Sequence, residues 1–233
     1  MLDVNKMFLS ITDKPYTEYE KLFEIYYNEL VEYNEKVNLT AITEREDVYI
    51  KHFYDSCLSS EFIPQNAKIV DIGTGAGFPG VPLKIIRNDI DLHLVDSLNK
   101  RITFLNYLSQ CLNIKYSTYH SRAEEFSTNI KYRESFDICV SRAVAKLNTL
   151  AEYCLPLVKI GGAFIAYKAG DIDEELKESI KAIQILGGEI KEIKKINLPN
   201  NTGDRTLIII KKIKNTPKKY PRNKNLPKLT PIQ

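Results

Sequence analysis

The sequence predicts an α/β fold: a seven-stranded, mostly parallel sheet with an antiparallel final strand, preceded by N-terminal helices. From Ala67 onward, short apolar runs alternate with helical stretches, which is typical of right-handed βαβ units. The last two runs are joined by a loop-forming stretch, residues 198–204, so they are expected to pair antiparallel. The predicted strands are 68–72, 91–96, 115–120, 136–141, 161–168, 189–196 and 206–213.

Helices are predicted ahead of the strands and between them. Apolar residues at three- and four-residue steps indicate a helix over 15–37, and a second one over 44–62. The first is rich in tyrosine; a packed helix face is favoured over an aromatic platform for bases. On the second, His52 and Asp55 lie one turn apart, and packing hydrogen bonds are the favoured interpretation. Helices between the strands are predicted over 80–88, 98–112, 144–158 and 171–186, with a short helical turn over 122–127 and with Gly161-Gly162 and Gly187-Gly188 as αL caps.

Charge is distributed unevenly along the 233 residues. The net charge is +3, but nine Lys/Arg and no Asp/Glu lie from Arg205 to the C-terminus. Four prolines after Ile213 predict an extended or disordered tail. A confined basic segment suits a polyanionic partner, and a merely solvated tail fits the charge equally well. The predicted organisation is a helical extension over 1–64, a ligand-binding domain over 65–213 and a basic tail over 214–233.

Several functional classes are not expected from this sequence. No apolar run approaches the roughly 20 residues that span a bilayer. The start of the chain lacks the basic and apolar regions of a secretory signal. The four cysteines are scattered through apolar segments without Cys-x-x-Cys spacing, which predicts buried free thiols in a reducing cytoplasm. We therefore expect a cytoplasmic protein without a metal site.

The stretch that organises the chain is the first predicted strand and the glycine-rich turn after it. Four of the ten glycines fall within residues 73–80. A strand, a glycine turn and a helix N-terminus commonly bind a nucleotide-like ligand. Residues 75–80 match the dinucleotide pattern Gly-x-Gly-x-x-Gly only weakly. With Asp71 two residues ahead of the first glycine, a carboxylate beside the turn suits a cationic ligand such as S-adenosylmethionine (SAM) better than a pyrophosphate.

Polar residues follow the next strands at the same edge of the sheet. Asp96 ends the second strand, where it can accept hydrogen bonds from both ribose hydroxyls of NAD or of SAM. Residues 121–125 place amides and a carboxylate where an adenine ring would lie. Arg142 follows the fourth strand. Glu124 could simply begin a helix and Arg142 could pair with a neighbouring acid, but their shared position at strand ends favours a site.

Several motifs together resemble one family, the RsmG (GidB) family of bacterial small-subunit rRNA guanine-N7 methyltransferases, over nearly the whole chain. The Gly-Phe-Pro-Gly ending of the turn and the stretch Ser-Arg-Ala-Val-Ala are far more specific than the glycine pattern. The residues that carry the resemblance are Asn38-Leu39-Thr40-Ala41-Ile42, His52, Asp55-Ser56, Asp71 to Gly80, Asp96-Ser97-Leu98, Lys100-Arg101, Arg122-Ala123-Glu124, Ser141 to Ala145 and Tyr220-Pro221-Arg222.

The resemblance implies a Rossmann-like SAM-dependent methyltransferase fold and SAM as cofactor. It implies 16S rRNA, the small ribosomal subunit or an assembly intermediate as partner, with guanine 527 as the expected target; another RNA guanine is the alternative. It also implies SAM contacts at Gly73, Phe78, Ala123, Glu124 and Arg142. With the residues inferred above, the predicted cofactor contacts are Asp71, Gly73, Thr74, Gly75, Gly77, Phe78, Asp96, Ser97, Ala123, Glu124 and Arg142.

The target atom explains which catalytic groups are not expected. The chain has neither an Asn-Pro-Pro-Tyr-type segment nor a Pro-Cys nucleophile. Guanine N7 carries an in-plane lone pair and no proton, so alignment with the methyl donor suffices and no general base is expected. Arg142 is the candidate for positioning the substrate. The residues predicted to contact RNA phosphates are Lys218, Lys219, Arg222, Lys224 and Lys228.

Two rival functions are weaker. A dinucleotide-dependent oxidoreductase would need a second domain or a proton donor, and neither is found. A non-enzymatic RNA-binding module is disfavoured by the intact glycine turn and by Asp96.

Overall fold

A computed structural model describes residues 4–12, 14–143 and 145–233. Its strands are β1 (Lys68–Ile72), β2 (Asp91–Asp96), β3 (Ser117–His120), β4 (Phe136–Ser141), β5 (Val158–Lys168), β6 (Gly188–Asn197) and β7 (Asp204–Lys212). Within these ranges they form one seven-stranded sheet in the order β3-β2-β1-β4-β5-β7-β6. The first five strands pair parallel, and β7 runs antiparallel to both of its neighbours. The predicted fold class is confirmed.

Helices cover both faces of the sheet. They are α1 (Val4–Leu9), α2 (Glu20–Val37), α3 (Arg45–Val48), α4 (Asp55–Cys57), α5 (Gly80–Ile86), α6 (Asn99–Leu112), α7 (Ala123–Thr128), α8 (Leu147–Cys154), α9 (Asp173–Ile185) and α10 (Leu226–Leu229). Alternate residues of β1 point to opposite faces. Ile69 joins a core with α2, α5 and α6, whereas Val70 joins a second core with α8 and α9. The sheet is therefore doubly wound.

The N-terminal helices share a core with the sheet. Tyr19 and Tyr26 are buried, as the packed-face interpretation of the tyrosine-rich helix predicts. The predicted helix over 44–62 is interrupted: α3 runs into a wide π-helical turn, Tyr49–Tyr54, before α4. A π turn leaves backbone carbonyls without regular intrahelical partners and is common at functional sites.

The predicted αL cap at Gly161-Gly162 is wrong. The helix before it ends at Cys154, and a 3₁₀ turn leads directly into β5. Both glycines lie inside β5, where its register against β4 shifts and forms a bulge. A Cβ at Gly162 would lie 2.3 Å from the carbonyl oxygen of Asp137, so the bulge requires glycine there. Gly187 does follow α9 with φ +86°, as predicted.

The C-terminal tail packs against the body, in contrast to the predicted extended or disordered segment. Tyr220 is 8% exposed and belongs to the core on the α8 face. Arg133 donates hydrogen bonds to the carbonyls of Thr216 (2.8 Å) and Tyr220 (2.8 Å). The buried Lys212 ammonium donates to Thr216 Oγ1 (2.6 Å), and burial lowers the pKa of Lys212 to about 8.

A few predictions fall outside the described residues. Residues 1–3 and Asp13 belong to the predicted helical extension, and Val144 was predicted to begin a helix. Within the described ranges, no helix has the length and hydropathy needed to cross a bilayer. The four cysteines are free thiols. Cys111 is half-buried, and the other three are buried.

Candidate active site

A cavity of about 1230 Å³ lies at the carboxyl ends of the parallel strands. It opens where the strand order reverses between β1 and β4, the position at which open α/β sheets bind ligands. We call the part lined by the glycine turn and the ends of β2 and β3 the β2 side. The part lined by the ends of β4 and β7 and by the π turn is the β7 side.

On the β2 side, hydrogen bonds tie the glycine turn to the end of β2. The amides of Gly73 and Thr74 donate to the carbonyl of Val95 (2.9 and 3.2 Å). The amide of Gly75 donates to Asp96 Oδ2 (2.9 Å). Gly73 and Gly75 have φ of +73° and +62°, a region that favours glycine. The turn is therefore held in its bent conformation by the strand that carries Asp96.

Asp96 is positioned to face the cavity although it is only 3% exposed. Its Oδ1 accepts the amide of Leu98 (2.9 Å), and Arg101 Nη1 lies 3.2 Å from Oδ2. A carboxylate has about four lone-pair sites, and the amides of Gly75 and Leu98 take one on each oxygen; the remaining two face Arg101 Nη1 at 3.2 and 3.5 Å, long contacts that ligand hydroxyls could replace. Asp96 is thus a fixed acceptor at the wall of the cavity.

Two predicted cofactor contacts, Asp71 and Gly77, lie behind the wall. Asp71 is fully buried, and its Oδ2 accepts the Thr74 hydroxyl (2.7 Å) and the Gly80 amide (2.9 Å). Burial raises the pKa of Asp71 to about 7. A Cβ at Gly77 would lie 2.6 Å from Tyr26 Oη. Both residues shape the turn from beneath, and neither lines the cavity, so the expectation that the Asp71 carboxylate faces a cationic ligand lacks geometric support.

The wall that follows β3 combines apolar and polar groups. Ala123 and Glu124 line the cavity at the start of α7, and Glu124 is 6% exposed. Arg122 Nη1 lies 3.8 Å from Glu124 Oε1 and donates to Asn225 Oδ1 (3.0 Å). Tyr153 of α8 completes this wall.

The β7 side is built around a fully buried carboxylate, Asp55. Arg142 Nη1 donates to its Oδ2 (2.7 Å). Arg205 donates to both oxygens, from Nε to Oδ1 (2.5 Å) and from Nη2 to Oδ2 (2.8 Å). Two guanidinium groups against one carboxylate leave this cluster of three side chains with a net positive charge.

His52 is held as a neutral imidazole by its neighbours. Nδ1 lies 3.2 Å both from Arg142 Nη2, which can only donate, and from the carbonyl oxygen of Lys51, which can only accept, so the tautomer decides which of the two it pairs with. Nε2 lies 2.9 Å from Thr40 Oγ1, a hydroxyl that can donate or accept. Burial and the nearby Arg142 charge lower the pKa of His52 to about 3. Arg142 also donates to the π-turn carbonyl of Lys51 (2.9 Å).

Phe78 joins the two sides. Its ring stacks on His52 (centroids 4.4 Å apart, planes at 19°) and on Tyr26 of α2 (5.5 Å, 16°). The Arg142 guanidinium carbon lies 5.0 Å from the Phe78 ring centroid. The Gly-Phe-Pro-Gly ending of the turn therefore contacts the N-terminal helices, as does Ala76, whose carbonyl accepts the Tyr26 hydroxyl (2.6 Å).

Most of the predicted cofactor contacts come together in this cavity. Of the residues predicted to contact RNA, Arg222 differs from the others because its guanidinium is bound to the buried Glu152 (2.7 Å), whereas the four lysines are exposed. The predicted cofactor contacts that line the cavity are Gly73, Thr74, Gly75, Phe78, Asp96, Ser97, Ala123, Glu124 and Arg142.

Sequence reasoning missed Lys51, Arg205 and Asn225, which also line the cavity. One signal was available for Arg205. Because β7 is antiparallel, its first residues lie at the edge where β5 ends, as the pairing of Thr206 with Lys168 demonstrates. The prediction of an antiparallel last strand therefore already placed Gly203-Asp204-Arg205 beside the carboxyl ends of the other strands.

The sheet order and the position of the cavity define a Rossmann-like α/β fold, which methyltransferases share. Among solved structures with this fold, the ribosomal protein L11 methylase from Lactobacillus delbrueckii subsp. bulgaricus has a TM-score of 0.54 and 14% identity, covering 70% of this chain and 79% of that one. The precorrin-6y C5,15-methyltransferase from Geobacter metallireducens GS-15 has a TM-score of 0.52 and 10% identity, covering 75% and 90%.

The sequence comparisons specify the family. Residues 19–207 match the family described as rRNA small subunit methyltransferase G. The Ribosomal RNA small subunit methyltransferase G of Bacillus subtilis is 51% identical, over 91% of this chain and 90% of its own. That of Lysinibacillus sphaericus is 49% identical over 99% and 96%. The chain belongs to the rRNA small subunit methyltransferase G family, and the resemblance stated from its motifs is confirmed.

Proposed function

We propose that this protein transfers a methyl group from SAM to N7 of a guanine in 16S rRNA of the small ribosomal subunit, with guanine 527 as the expected target. The observation that carries the proposal is the family match over residues 19–207. It is supported by relatives about half identical over nearly their whole length, each called Ribosomal RNA small subunit methyltransferase G.

The β2 side of the cavity suits SAM. Asp96 offers fixed acceptor atoms to a pair of ribose hydroxyls, and the bent backbone at Gly73 and Gly75 lets a ligand approach the main chain closely. Ala123 and Tyr153 offer apolar surface to an adenine ring. Bound SAM supplies an electrophilic methyl group. The fibrillarin of Aeropyrum pernix, described with natively bound SAM, has the same fold at a TM-score of 0.52 and 14% identity.

On the β7 side, the residues act by positioning and by charge. The Arg142 guanidinium is fixed by Asp55, His52 and the Lys51 carbonyl, so it presents a rigid cationic surface. Guanine O6 lies next to N7 and is an acceptor, which suits such a surface. Excess positive charge also attracts the phosphates that flank the target. N7 has no proton to remove, which agrees with a neutral His52 whose Nδ1 is already occupied.

Asp204 supplies the opposite chemistry on the same side. It is exposed, lines the cavity at the start of β7, and carries a carboxylate. The Watson–Crick edge of guanine presents N1–H and N2–H donors, which a carboxylate accepts. A carboxylate near the purine also stabilises the positive charge that the ring gains on methylation. We assign Asp204 to reading that edge.

The tail is proposed to bind rRNA phosphates through its exposed lysines. Lys218, Lys219, Lys224 and Lys228 are solvent-exposed. Arg222 is left out of this proposal, because Glu152 occupies its Nε (2.9 Å) and Nη2 (2.7 Å) donors.

Mapping of 7-methylguanine in 16S rRNA tests the function directly. A deletion strain should lack the modification at guanine 527; wild-type protein should restore it, and Asp96→Ala should not. Persistence of the modification in the deletion strain would refute the assignment. Purified protein with radiolabelled SAM should label one of three substrates best: naked 16S rRNA, intact subunits or assembly intermediates. Labelling only of another RNA would favour the alternative of a different guanine.

A further inference from the structure

The C-terminal tail is anchored on one helix, α8. The carboxylate of Glu152, which is fully buried, accepts three hydrogen bonds from Arg222: from the amide (2.7 Å), from Nε (2.9 Å) and from Nη2 (2.7 Å). Further along the tail, Thr149 Oγ1 donates to the carbonyl of Pro227 (2.9 Å). These contacts fix the chain on both sides of residues 223–226.

The segment between the two anchors reaches the cavity. Asn225 lines it, as do the α8 residues Leu150 and Tyr153. Asn225 has φ +60°, a left-handed conformation that asparagine tolerates better than most residues. Arg122 Nη1 donates to its Oδ1 (3.0 Å). Because arginine only donates, this contact fixes the orientation of the Asn225 amide and turns its Nδ2 group away from Arg122.

The Nδ2 group is chemically suited to a ligand. Within the described ranges it donates no hydrogen bond to the protein, although Asn225 belongs to the cavity wall that also contains Ala123 and Glu124. An adenine ring carries acceptor nitrogens, and a neutral amide donor matches them. The tail therefore contributes a polar group to the cavity wall that follows β3, where the adenine ring is expected to bind.

We propose that Asn225 completes the cofactor site by donating a hydrogen bond to the adenosine half of SAM, so that the tail is part of the ligand-binding wall. This inference rests on the proposed use of SAM. It gives the tail a second role, separate from that of its exposed lysines.

Two substitutions of Asn225 test the proposed hydrogen bond, one by removing only the Nδ2 donor and the other by removing the whole side chain. Asn225→Asp keeps the oxygen that accepts from Arg122 and removes the donor. Asn225→Gly removes the whole side chain without backbone strain at φ +60°. Asn223→Asp is the matched control, since Asn223 is exposed, lies in the same segment between the two anchors and does not line the cavity. Thermal unfolding of each variant verifies that it is folded.

Calorimetric titration with two ligands provides the test. S-adenosylhomocysteine contains both halves of the cofactor, and 5′-methylthioadenosine contains the adenosine half without the amino acid. Both Asn225 variants should bind both ligands about 3- to 10-fold more weakly, the loss of one net hydrogen bond, while Asn223→Asp binds like wild type. Unchanged affinity for 5′-methylthioadenosine in either variant overturns the inference. Wild-type protein that binds neither ligand would instead remove the proposed use of SAM, and this inference with it.

Discussion

The two sides of the cavity are built from different materials. The β2 side is made largely of backbone: a continuous glycine turn, tied by its amides to Val95 and Asp96. The β7 side is made of side chains from three separate segments of the chain. The guanidinium groups of Arg142 and Arg205 both form ion pairs with the buried carboxylate of Asp55. On the first side, substitutions act mainly through backbone conformation and ligand contact. On the second, they act first through the stability of the fold.

The largest expected loss of stability is that of Asp55→Ala, which tests whether the β7 side stabilises the fold. Asp55→Ala leaves the Arg142 and Arg205 side chains, which are 13% and 14% exposed, without their shared counter-ion. Breaking a buried ion pair on one side costs about 3–5 kcal/mol. Urea denaturation should measure a loss of unfolding free energy in that range. Asp204→Ala, an exposed acid at the same edge, is the control and should change stability by less than about 0.5 kcal/mol. A loss below about 1 kcal/mol for Asp55→Ala would show that the cluster is not a stability element.

A pair of glycine substitutions tests the β2 side. A Cβ at Gly77 would lie 2.6 Å from Tyr26 Oη and 2.8 Å from Val81 Cγ2, at φ +108°. Gly75 has open space and a φ of +62°, so Gly75→Ala should cost about 1–2 kcal/mol from the backbone alone. Gly77→Ala should cost more, because steric overlap adds to the backbone strain. Denaturation of both variants gives the comparison, and Tyr26→Phe should partly relieve Gly77→Ala and not Gly75→Ala. Equal losses would contradict close packing of the turn on α2.

The contrast between the two sides of the cavity also explains which features could be predicted from the sequence. The bounds of β1, β2 and β4 and the place of Asp96 follow from apolar runs and turn residues close together in the chain. The Asp55 cluster does not, because Arg142 and Arg205 lie 87 and 150 residues away from Asp55. Spacing along one helix suggested only a packing pair of His52 and Asp55. The sequence gives the position of Asp71 at the end of β1 and not the direction of its carboxylate, which is buried behind the cavity wall.

The tail and the β5 bulge show a second limit. Prolines and lysines predict an extended segment. Arg222 nevertheless forms an ion pair with the buried Glu152, which lies 70 residues earlier in the sequence. The register shift at Gly162 depends on the backbone of β4, which no local pattern in β5 reveals. Local sequence indicates elements and turns, whereas partners of buried charges are set by the packing of the whole chain.

A pH experiment tests the environment of His52. Its pKa is about 3 in the folded protein, against about 6.5 unfolded. Between these values the unfolded chain binds a proton that the folded state does not, so unfolding free energy falls as pH decreases below 6.5, by about 1.4 kcal/mol per unit. From pH 6.5 to 5 this amounts to about 2 kcal/mol.

The comparison with His52→Gln isolates this contribution. Asp71, with its pKa raised to about 7, acts in the opposite direction, because its folded state binds the proton and gains stability as pH falls from 7 towards 4. Both proteins, wild type and variant, retain Asp71, so the difference between their stability curves reports His52. The wild-type curve should fall relative to that of His52→Gln between pH 6.5 and 5. Parallel curves would mean that His52 is solvated and titrates normally.

The smallest effect on stability is expected for the tail lysines, which extend the contrast between buried and exposed charge. Lys218 and Lys219 are exposed, so replacing both by glutamine should change unfolding free energy by less than about 0.5 kcal/mol. Arg222→Gln, by comparison, leaves the buried Glu152 without its guanidinium and should destabilise by more. For RNA binding we expect the opposite order: the double lysine variant should lose more affinity than Arg222→Gln. The double lysine variant should lower the slope of log affinity against log salt by about 0.7–0.9 for each phosphate that the tail no longer neutralises.

A matched pair on another surface controls for net charge. Lys177 and Lys181 are exposed on α9, and replacing both by glutamine removes the same two charges. If the tail contacts phosphates directly, the Lys218/Lys219 variant lowers the salt slope and the α9 variant does not, while both bind S-adenosylhomocysteine like wild type. Equal slopes would mean that the tail attracts RNA only through overall charge. Its contribution would then be confined to the anchored segment around Arg222 and Asn225, where hydrogen bonds to Glu152 and Arg122 rather than the charge of exposed lysines determine what the tail does.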